Sequence, residues 1–271
     1  MTKHIAFMGG GNMATAIISG LLKRGWTPAN IDVVEPFEAA RQKLKADWGI
    51  SAQAGPGAFL QKADLLVWAV KPQTFAQAAA QARADTGGAL HLSVAAGIPS
   101  QSIANWLGTE RVVRSMPNTP ALIGKGIAGL FARPAVTAAD RQLVQDVMDS
   151  TGQWLWLEHE VQLDAVTAIS GSGPAYVFYF LEAMTEAGAQ MGLSRAQAYQ
   201  LAIATFSGAA ELARTSSDSA EVLRQKVTSK GGTTYAAITS MDESNVKALF
   251  GKALHAAGQR AAELGAEFGK T

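Results

Sequence analysis

The first 158 residues alternate between short apolar runs and longer stretches with helical spacing of apolar positions. Near-continuous apolar runs separated by helical stretches are typical of a parallel sheet covered by helices on both faces. The pattern therefore predicts an α/β domain whose ligands lie beyond the carboxyl ends of the strands. The predicted strands are residues 5–8, 31–34, 65–70, 90–94 and 111–115, with two weaker runs at 127–131 and 154–157.

After residue 158 the strand pattern stops and helical periodicity takes over, at 174–191, 194–215, 220–227 and 245–264. The pattern predicts two domains, an α/β domain at 1–158 and an all-α domain at 159–271. The helix that starts at Pro174 carries apolar side chains on more than one face, including Phe178 and Phe180. Such a helix must be buried on several sides. A second subunit would bury it, and the alternative is a central helix inside a monomeric bundle.

A glycine-rich loop follows the first predicted strand and opens a helical stretch. It reads G-x-G-x-x-A, from Gly9 through Gly11, Asn12 and Met13 to Ala14. Gly9 permits a tight turn, Gly11 lets a pyrophosphate approach the backbone, and Ala14 lets the helix pack on the sheet. Together with the flanking strands, this loop predicts a dinucleotide cofactor, NADH or NADPH.

An acidic residue, Glu35, ends the second predicted strand, which is where a carboxylate hydrogen-bonds the adenosine ribose. A carboxylate there also repels a 2′-phosphate, so we expect tolerance of, or preference for, NADH. Arg41 in the following helix could reach a 2′-phosphate and weaken that preference.

Small residues mark the ends of the other strands and leave room for a ribose and a nicotinamide ring. We expect further cofactor contacts in these segments. The residues concerned are Ala69, Val70, Lys71, Pro72, Ala95, Gly97 and Asn118.

The segment from Lys226 to Ile238 alternates hydroxyls and glycines just before an apolar, helix-like run. A helix start leaves its first N–H groups unpaired, so this segment can aim N–H and O–H groups at one small anion. A carboxylate is the expected ligand. The alternative is a helix N-cap after a glycine turn.

Composition excludes several classes of protein. Charged residues make up 17% of the 271 residues, the net charge is +1 and cysteine is absent. No nucleic-acid or membrane partner, disulfide or cysteine metal site is therefore expected, and no clustered ligands predict a catalytic metal. The chain runs from Met1 directly into an apolar strand, which predicts a cytoplasmic protein. No lysine lies between Lys125 and Lys226, which counts against the β-hydroxyacid dehydrogenases and their catalytic lysine.

Five ordered blocks resemble the pyrroline-5-carboxylate reductase family. Besides the glycine loop they are V-x-A-V-K-P-Q, S-V-A-A-G-I, R-x-M-P-N-T-P and V-T-S-K-G-G-T-T, at residues 67–73, 93–98, 114–120 and 227–234. A further segment at 168–176 is similar to the family's segment at the same place. The one departure is Lys230, where the family usually has proline.

The resemblance implies roles for individual residues. Ser229 and the N–H groups of Gly232 and Thr233 would hold the substrate carboxylate, and Thr234 would meet the ring nitrogen as the catalytic residue. It also implies that Val70, Lys71 and Pro72 line the nucleotide and that Asn118 lies near the nicotinamide or the substrate. Finally, it implies a Rossmann-type dinucleotide-binding domain at 1–158 and an all-α dimerisation and substrate domain at 159–271. The family forms homodimers through the helical domain, with decamers in many members.

These features together predict reduction of 1-pyrroline-5-carboxylate to proline with NADH or NADPH, the last step of proline synthesis. A protonated imine already carries positive charge, so its reduction needs no strong protein acid, and the nicotinamide carries the chemistry. Two alternatives stay open, another imine or 2-oxoacid reductase on the same scaffold and a non-catalytic dinucleotide sensor.

Overall fold

A computed structural model describes residues 3–269, and this part of the chain forms two compact units. The first holds residues up to Gly173 together with those from Ala257 onward, and the second runs from Pro174 to Ala256. The boundary predicted between residues 158 and 159 stays a prediction for the functional domains. The compact units divide the chain differently, because the end of the chain belongs with the first unit.

The first unit is built on a seven-stranded sheet in the order β2-β1-β3-β4-β5-β6-β7. Neighbouring strands are parallel except for the pair β5 and β6. The strands are β1 Ile5–Met8, β2 Ile31–Val34, β3 Leu65–Trp68, β4 Leu90–Ser93, β5 Val112–Met116, β6 Gly126–Ala132 and β7 Gly152–Trp156.

The sheet is parallel as predicted except at β5 and β6, which pair antiparallel with Val113 opposite Ala132. Only residues 117–125 connect them, and they form a 3-10 turn at Thr119–Ile123 rather than a helix. A parallel return needs a crossover of a dozen or more residues, usually helical. The short connection therefore folds β6 back beside β5.

Helices cover both faces of the sheet, as the apolar strands predict. They are α1 Asn12–Lys23, α2 Glu38–Trp48, α3 Pro72–Ala82, α4 Ser100–Leu107 and α5 Ala138–Met148, followed by a short α6 Gln162–Val166 and a π-helical turn Thr167–Gly171. Successive strand side chains point to opposite faces. Ile5 and Phe7 accordingly belong to one buried cluster, while Ala6 and Met8 belong to the other. Buried on both sides, the sheet is a rigid base for the loops at its carboxyl edge.

The second unit is helical, as predicted, with α7 Gly173–Gln190, α8 Arg195–Thr215, α9 Ala220–Lys226, α10 Thr233–Glu243 and α11 Val246–Phe268. Ser194 starts α8 with a capping box in which Gln197 is the reciprocal partner, and the Ser219 side chain accepts the N–H of Val222 at the start of α9. Helix α11 continues into the first unit from Ala257. None of the helices between residues 3 and 269 combines the length and apolar content that a bilayer crossing requires.

Many large apolar side chains of the second unit face outward. Phe178 is 58% exposed and Tyr179 is 70% exposed on α7, and no residue of α10 is buried. Large apolar side chains exposed in this number are typical of a protein–protein contact. The exposed set on α7 and α8 comprises Val177, Phe178, Tyr179, Met184, Tyr199, Leu201, Ile203 and Leu212.

Candidate functional site

The glycine loop joins β1 to α1 at the carboxyl edge of the sheet, where a dinucleotide pyrophosphate is expected. Gly9 has φ +97°, and a Cβ built on it would lie 2.6 Å from the carbonyl oxygen of Ala69. Its N–H donates to the carbonyl oxygen of Val34 at 2.8 Å. Only glycine tolerates both the left-handed backbone and the close approach. The loop is therefore fixed between the ends of β2 and β3.

Helix α1 begins without a competing anion. Gly11 is its N-cap, no side chain caps it, and its first turn contains no acidic residue. A Cβ on Gly11 would meet nothing within 4 Å, so open space lies before the helix. The first N–H groups of a helix need an acceptor and favour negative charge. Gly11, Asn12, Met13 and Ala14 thus fit a pyrophosphate at this end.

Glu35 lies directly after β2, as predicted, and is only 6% exposed. Its Oε2 accepts the N–H of Gly10 at 2.8 Å and its Oε1 accepts the N–H of Phe37 at 2.9 Å. Sequence reasoning assigned this carboxylate to the ribose and missed its bond to the glycine loop.

Arg41 is also held by neighbouring residues. Its Nη1 donates to the carbonyl oxygens of Glu35 at 2.9 Å and Pro36 at 2.7 Å, and its Nη2 pairs with the carboxylate of Glu38. To meet a 2′-phosphate, the guanidinium would have to give up at least part of this set.

The ends of β3 and β4 supply the rest of the carboxyl edge. Lys71 is the N-cap of α3 and is exposed, and its ammonium forms no ion pair with any residue in the described range 3–269. Pro72 occupies the first helical position, which suits its fixed φ. Ala69 and Val70 follow β3 directly before Lys71, and Ala95 lies just after β4.

Gly97 has a packing role that the sequence pattern does not reveal. Its φ is +74°, and a Cβ on it would lie 3.2 Å from Cβ of Leu264 and 3.3 Å from Cδ2 of Phe268. Both of these residues belong to the last turns of α11. The loop after β4 is thus closed by the end of the chain.

Asn118 is 9% exposed and connects two strands. Its Oδ1 accepts the N–H of Ile127 in β6 at 3.0 Å, and its carbonyl oxygen accepts the N–H of Ala121 at 3.1 Å. The side chain therefore fixes the turn that reverses β5 into β6. Helix α1 packs against the 3-10 turn that follows Asn118, which keeps this turn beside the glycine loop's helix.

The predicted carboxylate segment lies in the second unit and forms a tight turn before α10. The N–H of Gly232 donates to the carbonyl oxygen of Ser229 at 3.0 Å, and Gly231 has φ +76°. These are the features of a type II turn with Lys230 in its second position. Ser229 Oγ lies 2.8 Å from the place that a Cβ on Gly232 would occupy, so the hydroxyl lies against the start of α10.

Not every predicted donor of this segment is free. The N–H of Gly232 is engaged within the turn. Helix α10 starts at Thr233 with no side-chain cap and no acid in its first turn, and Thr233 and Thr234 are both exposed. The hydroxyls of Ser229 and the two threonines, with the first N–H groups of α10, are the groups able to meet an anion.

Comparison with known proteins identifies the scaffold. Residues 160–264 match the family model described as pyrroline-5-carboxylate reductase dimerisation, and residues 4–97 match that of the F420-dependent NADP oxidoreductases. A pyrroline-5-carboxylate reductase of Pseudomonas aeruginosa is 44% identical over 99% of both chains. The chain belongs to the pyrroline-5-carboxylate reductase family. This finding and the α/β-plus-helical architecture confirm the predicted resemblance and fold class.

Solved structures of the family have the same fold as this chain. A pyrroline-5-carboxylate reductase from Coxiella burnetii superimposes with a TM-score of 0.91 at 37% identity, covering 97% of this chain and 99% of that one. The Plasmodium falciparum pyrroline carboxylate reductase, solved with NADP bound, gives a TM-score of 0.87 at 27% identity, covering 97% and 98%. Both units of this chain are thus included in the likeness.

Within this reductase fold, Glu160 forms a polar cluster that sequence reasoning did not find. Its Oε1 accepts the Ser100 N–H and the Arg114 guanidinium, and its Oε2 accepts the Ser100 hydroxyl, each at 2.6 Å. Burial alone would raise the pKa of Glu160, but the bonds from Ser100 and Arg114 outweigh burial and hold that pKa below its usual value. Glu160 therefore caps α4 as an anion, and Arg114 of the R-x-M-P-N-T-P block supports it.

His91 is the one histidine of the reductase core in the described residues, and it is 1% exposed. Its Nδ1 accepts the indole N–H of Trp68 at 3.0 Å, which requires the neutral ring. Burial, with a smaller contribution from Arg111, lowers the pKa of His91 to about 4. The ring is a packed structural element of the core.

Proposed function

We propose that this protein reduces L-1-pyrroline-5-carboxylate to L-proline by hydride transfer from NADH or NADPH, the last step of proline biosynthesis. The observation that carries the proposal is the 44% identity to a pyrroline-5-carboxylate reductase over 99% of both chains. Two anion-compatible helix starts, at α1 and α10, add support from the residues themselves.

The residues at the carboxyl edge fit a nicotinamide dinucleotide. Gly9 leaves free the space beside the Ala69 carbonyl that a Cβ would fill, and Gly11 faces open space. Lys71 offers a phosphate a cation that forms no ion pair within residues 3–269. Val70, Pro72, Ala95 and Gly97 would complete the lining, with Glu35 at the adenosine ribose. When bound, the cofactor supplies the hydride. The protein's contribution is to bind and orient the cofactor.

The substrate would be held through its carboxylate by the Ser229 hydroxyl and the N–H of Thr233, at the start of α10. The N–H of Gly232 would contribute only as a shared donor, because it already bonds the carbonyl oxygen of Ser229. The Thr234 hydroxyl would accept a hydrogen bond from the protonated ring nitrogen and fix the ring's orientation. Asn118 is proposed near the nicotinamide or the substrate.

NADH is proposed as the tolerated or preferred cofactor. The Arg41 guanidinium, the cation that could meet a 2′-phosphate, is already engaged by Glu38 and two carbonyl oxygens. The loss of those bonds on binding a 2′-phosphate disfavours NADPH.

Assembly through the helical unit is proposed as a homodimer, with dimers grouped into a decamer as the larger form. The match of residues 160–264 to a dimerisation family and the exposed apolar side chains of α7 and α8 support this. The cytoplasmic location stays a prediction.

The test is purified protein with pyrroline-5-carboxylate and each reduced nucleotide, followed by loss of nicotinamide absorbance and by chromatography of proline. Proline formed in proportion to nucleotide oxidised is the expected result. Nucleotide binding without turnover of any imine or oxoacid would instead identify a dinucleotide sensor. Faster turnover of pyrroline-2-carboxylate or pyruvate would identify a different reductase on this scaffold.

A further inference from the structure

We propose that Glu35 is a positioning residue for the glycine loop, and that its carboxylate supports the binding of NADH and NADPH alike. The inference deepens the proposed function, because it concerns the cofactor site of the same enzyme. An acid at this place is ordinarily assigned to the ribose, where its removal relaxes selectivity toward NADPH. The geometry here points to a different result.

The carboxylate joins two backbone segments that approach from different elements. Oε2 accepts the N–H of Gly10 in the loop after β1, at 2.8 Å. Oε1 accepts the N–H of Phe37 at the start of α2, at 2.9 Å. Glu35 thus ties the pyrophosphate-binding loop to the turn that carries its own strand into α2.

Gly10 is fitted against this carboxylate. It is buried, and a Cβ on it would lie 2.8 Å from Cδ1 of Leu44, 3.3 Å from Oε2 of Glu35 and 3.4 Å from its Cβ. A buried N–H without an acceptor is costly, so Gly10 would move if the carboxylate were lost. Gly10 lies between Gly9 and Gly11, so any shift displaces the backbone that faces the pyrophosphate.

Within the described residues, the Glu35 carboxylate is bound by backbone N–H groups and by no cationic side chain. Within residues 3–269 Glu35 forms no ion pair, and the nearby Arg41 donates to the carbonyl oxygens of Glu35 and Pro36 rather than to the carboxylate. The negative charge is therefore stabilised by the N–H groups of the loop and of Phe37. Loop and carboxylate stabilise each other, which is why removing one disturbs the other.

Titration calorimetry of the full-length protein with NADH and with NADPH, without pyrroline-5-carboxylate, tests this. Glu35→Gln keeps the shape but turns an amide NH₂ toward one of the two backbone donors. We expect the Kd of both nucleotides to rise about ten- to a hundredfold, with their ratio changed by less than about threefold. NADPH binding as tight as in the wild type, or tighter, would overturn the proposal.

The matched control is Asp32→Asn, which removes a carboxylate from β2, the strand that Glu35 follows. Asp32 pairs with His4 and Lys62 instead of the glycine loop. We expect both Kd values to stay within about twofold of wild type, and an equal loss in this control would overturn a specific role for Glu35.

Gly10→Ala perturbs the same contact through the glycine, and it provides the test if Glu35→Gln does not fold. The added methyl must displace either the carboxylate or Leu44. Weaker binding of both nucleotides is expected, and unchanged binding of both would contradict the proposal.

Amide hydrogen exchange at Gly10 should also be slow in the wild type and faster in Glu35→Gln. None of these measurements needs turnover, so a failure of the proposed reaction is distinguishable from a failure of this inference.

Discussion

Lys230 occupies the one position where the V-T-S-K-G-G-T-T segment departs from its family, and the structure predicts what restoring proline would do. The turn from Ser229 to Gly232 is closed by a 3.0 Å hydrogen bond, and Gly231 has φ +76°. In a type II turn the second position has φ near −60°, which is the value that a proline ring fixes. The N–H of Lys230 donates to no backbone acceptor in the described chain, so proline would remove no such bond.

Lys230→Pro should therefore stabilise the fold by restricting the unfolded chain. Substitutions of this kind at compatible positions contribute about 0.4–1 kcal/mol. For a chain of this size, such a change corresponds to a rise in Tm of about 1–3 °C. Differential scanning calorimetry of the two proteins at equal concentration measures it.

Lys230→Gln separates the backbone effect from the charge. It keeps the lysine-like backbone freedom and should leave Tm unchanged, whereas both substitutions remove an exposed ammonium beside the proposed carboxylate site. Both should raise KM for pyrroline-5-carboxylate at low ionic strength, and the difference should fade at high salt. A lower Tm for Lys230→Pro than for wild type would refute the turn assignment.

The remaining predictions concern the site, the interface, the core and cofactor choice. Thr234→Val should lower kcat/KM for pyrroline-5-carboxylate about ten- to a hundredfold, since it removes one hydrogen bond to a charged group, while calorimetry finds nucleotide Kd unchanged; wild-type efficiency would remove Thr234 from the site. Phe178→Glu places a charge on the exposed apolar face of α7, so light scattering should show a smaller assembly, and an unchanged mass would contradict that interface. The pKa of His91 falls from 6.5 unfolded to about 4 folded, so its stabilising contribution is complete above pH 6.5 and is lost as the pH falls toward about 4. The loss amounts to about 3 kcal/mol, and urea unfolding of wild type and His91→Gln across that range should show a shallower pH dependence in the variant. Glu38→Ala releases one partner of Arg41, so steady-state kinetics should shift several-fold toward NADPH, and an unchanged preference would show that the carbonyl oxygens alone hold the guanidinium.

The strands and helices could be predicted because their signals are local. Buried parallel strands must be apolar on both faces, so runs such as Ile5–Met8 stand out from their polar surroundings. The glycine loop could be predicted for a similar reason, since Gly9 needs its left-handed backbone whatever the rest of the chain does. Helical periodicity at 194–215 likewise placed α8, which spans Arg195–Thr215, within a residue.

Contacts between distant residues could not be predicted in this way. The direction of β6 depends on the length of the connection after β5, and the Glu160 cap on α4 joins residues 60 apart. The bond from Gly10 to Glu35 spans 25 positions, and the motif that located both residues gives no sign that they touch. A pattern identifies residue types at a spacing, whereas hydrogen-bond partners depend on how the elements pack.

The discontinuity of the first unit has a consequence for synthesis on the ribosome. Leu264 and Phe268 close the loop at Gly97, and the Ser102 hydroxyl donates to the carbonyl oxygen of Gly269 at 3.1 Å. A nascent chain emerges from its N-terminus, so the strands can pair long before these last turns leave the exit tunnel. Until then, the apolar surface under α11 stays uncovered. Residues 257–269 are thus made long after the glycine loop of the nucleotide-binding edge that they complete. Truncation within them should impair cofactor affinity although it removes none of the cofactor motifs.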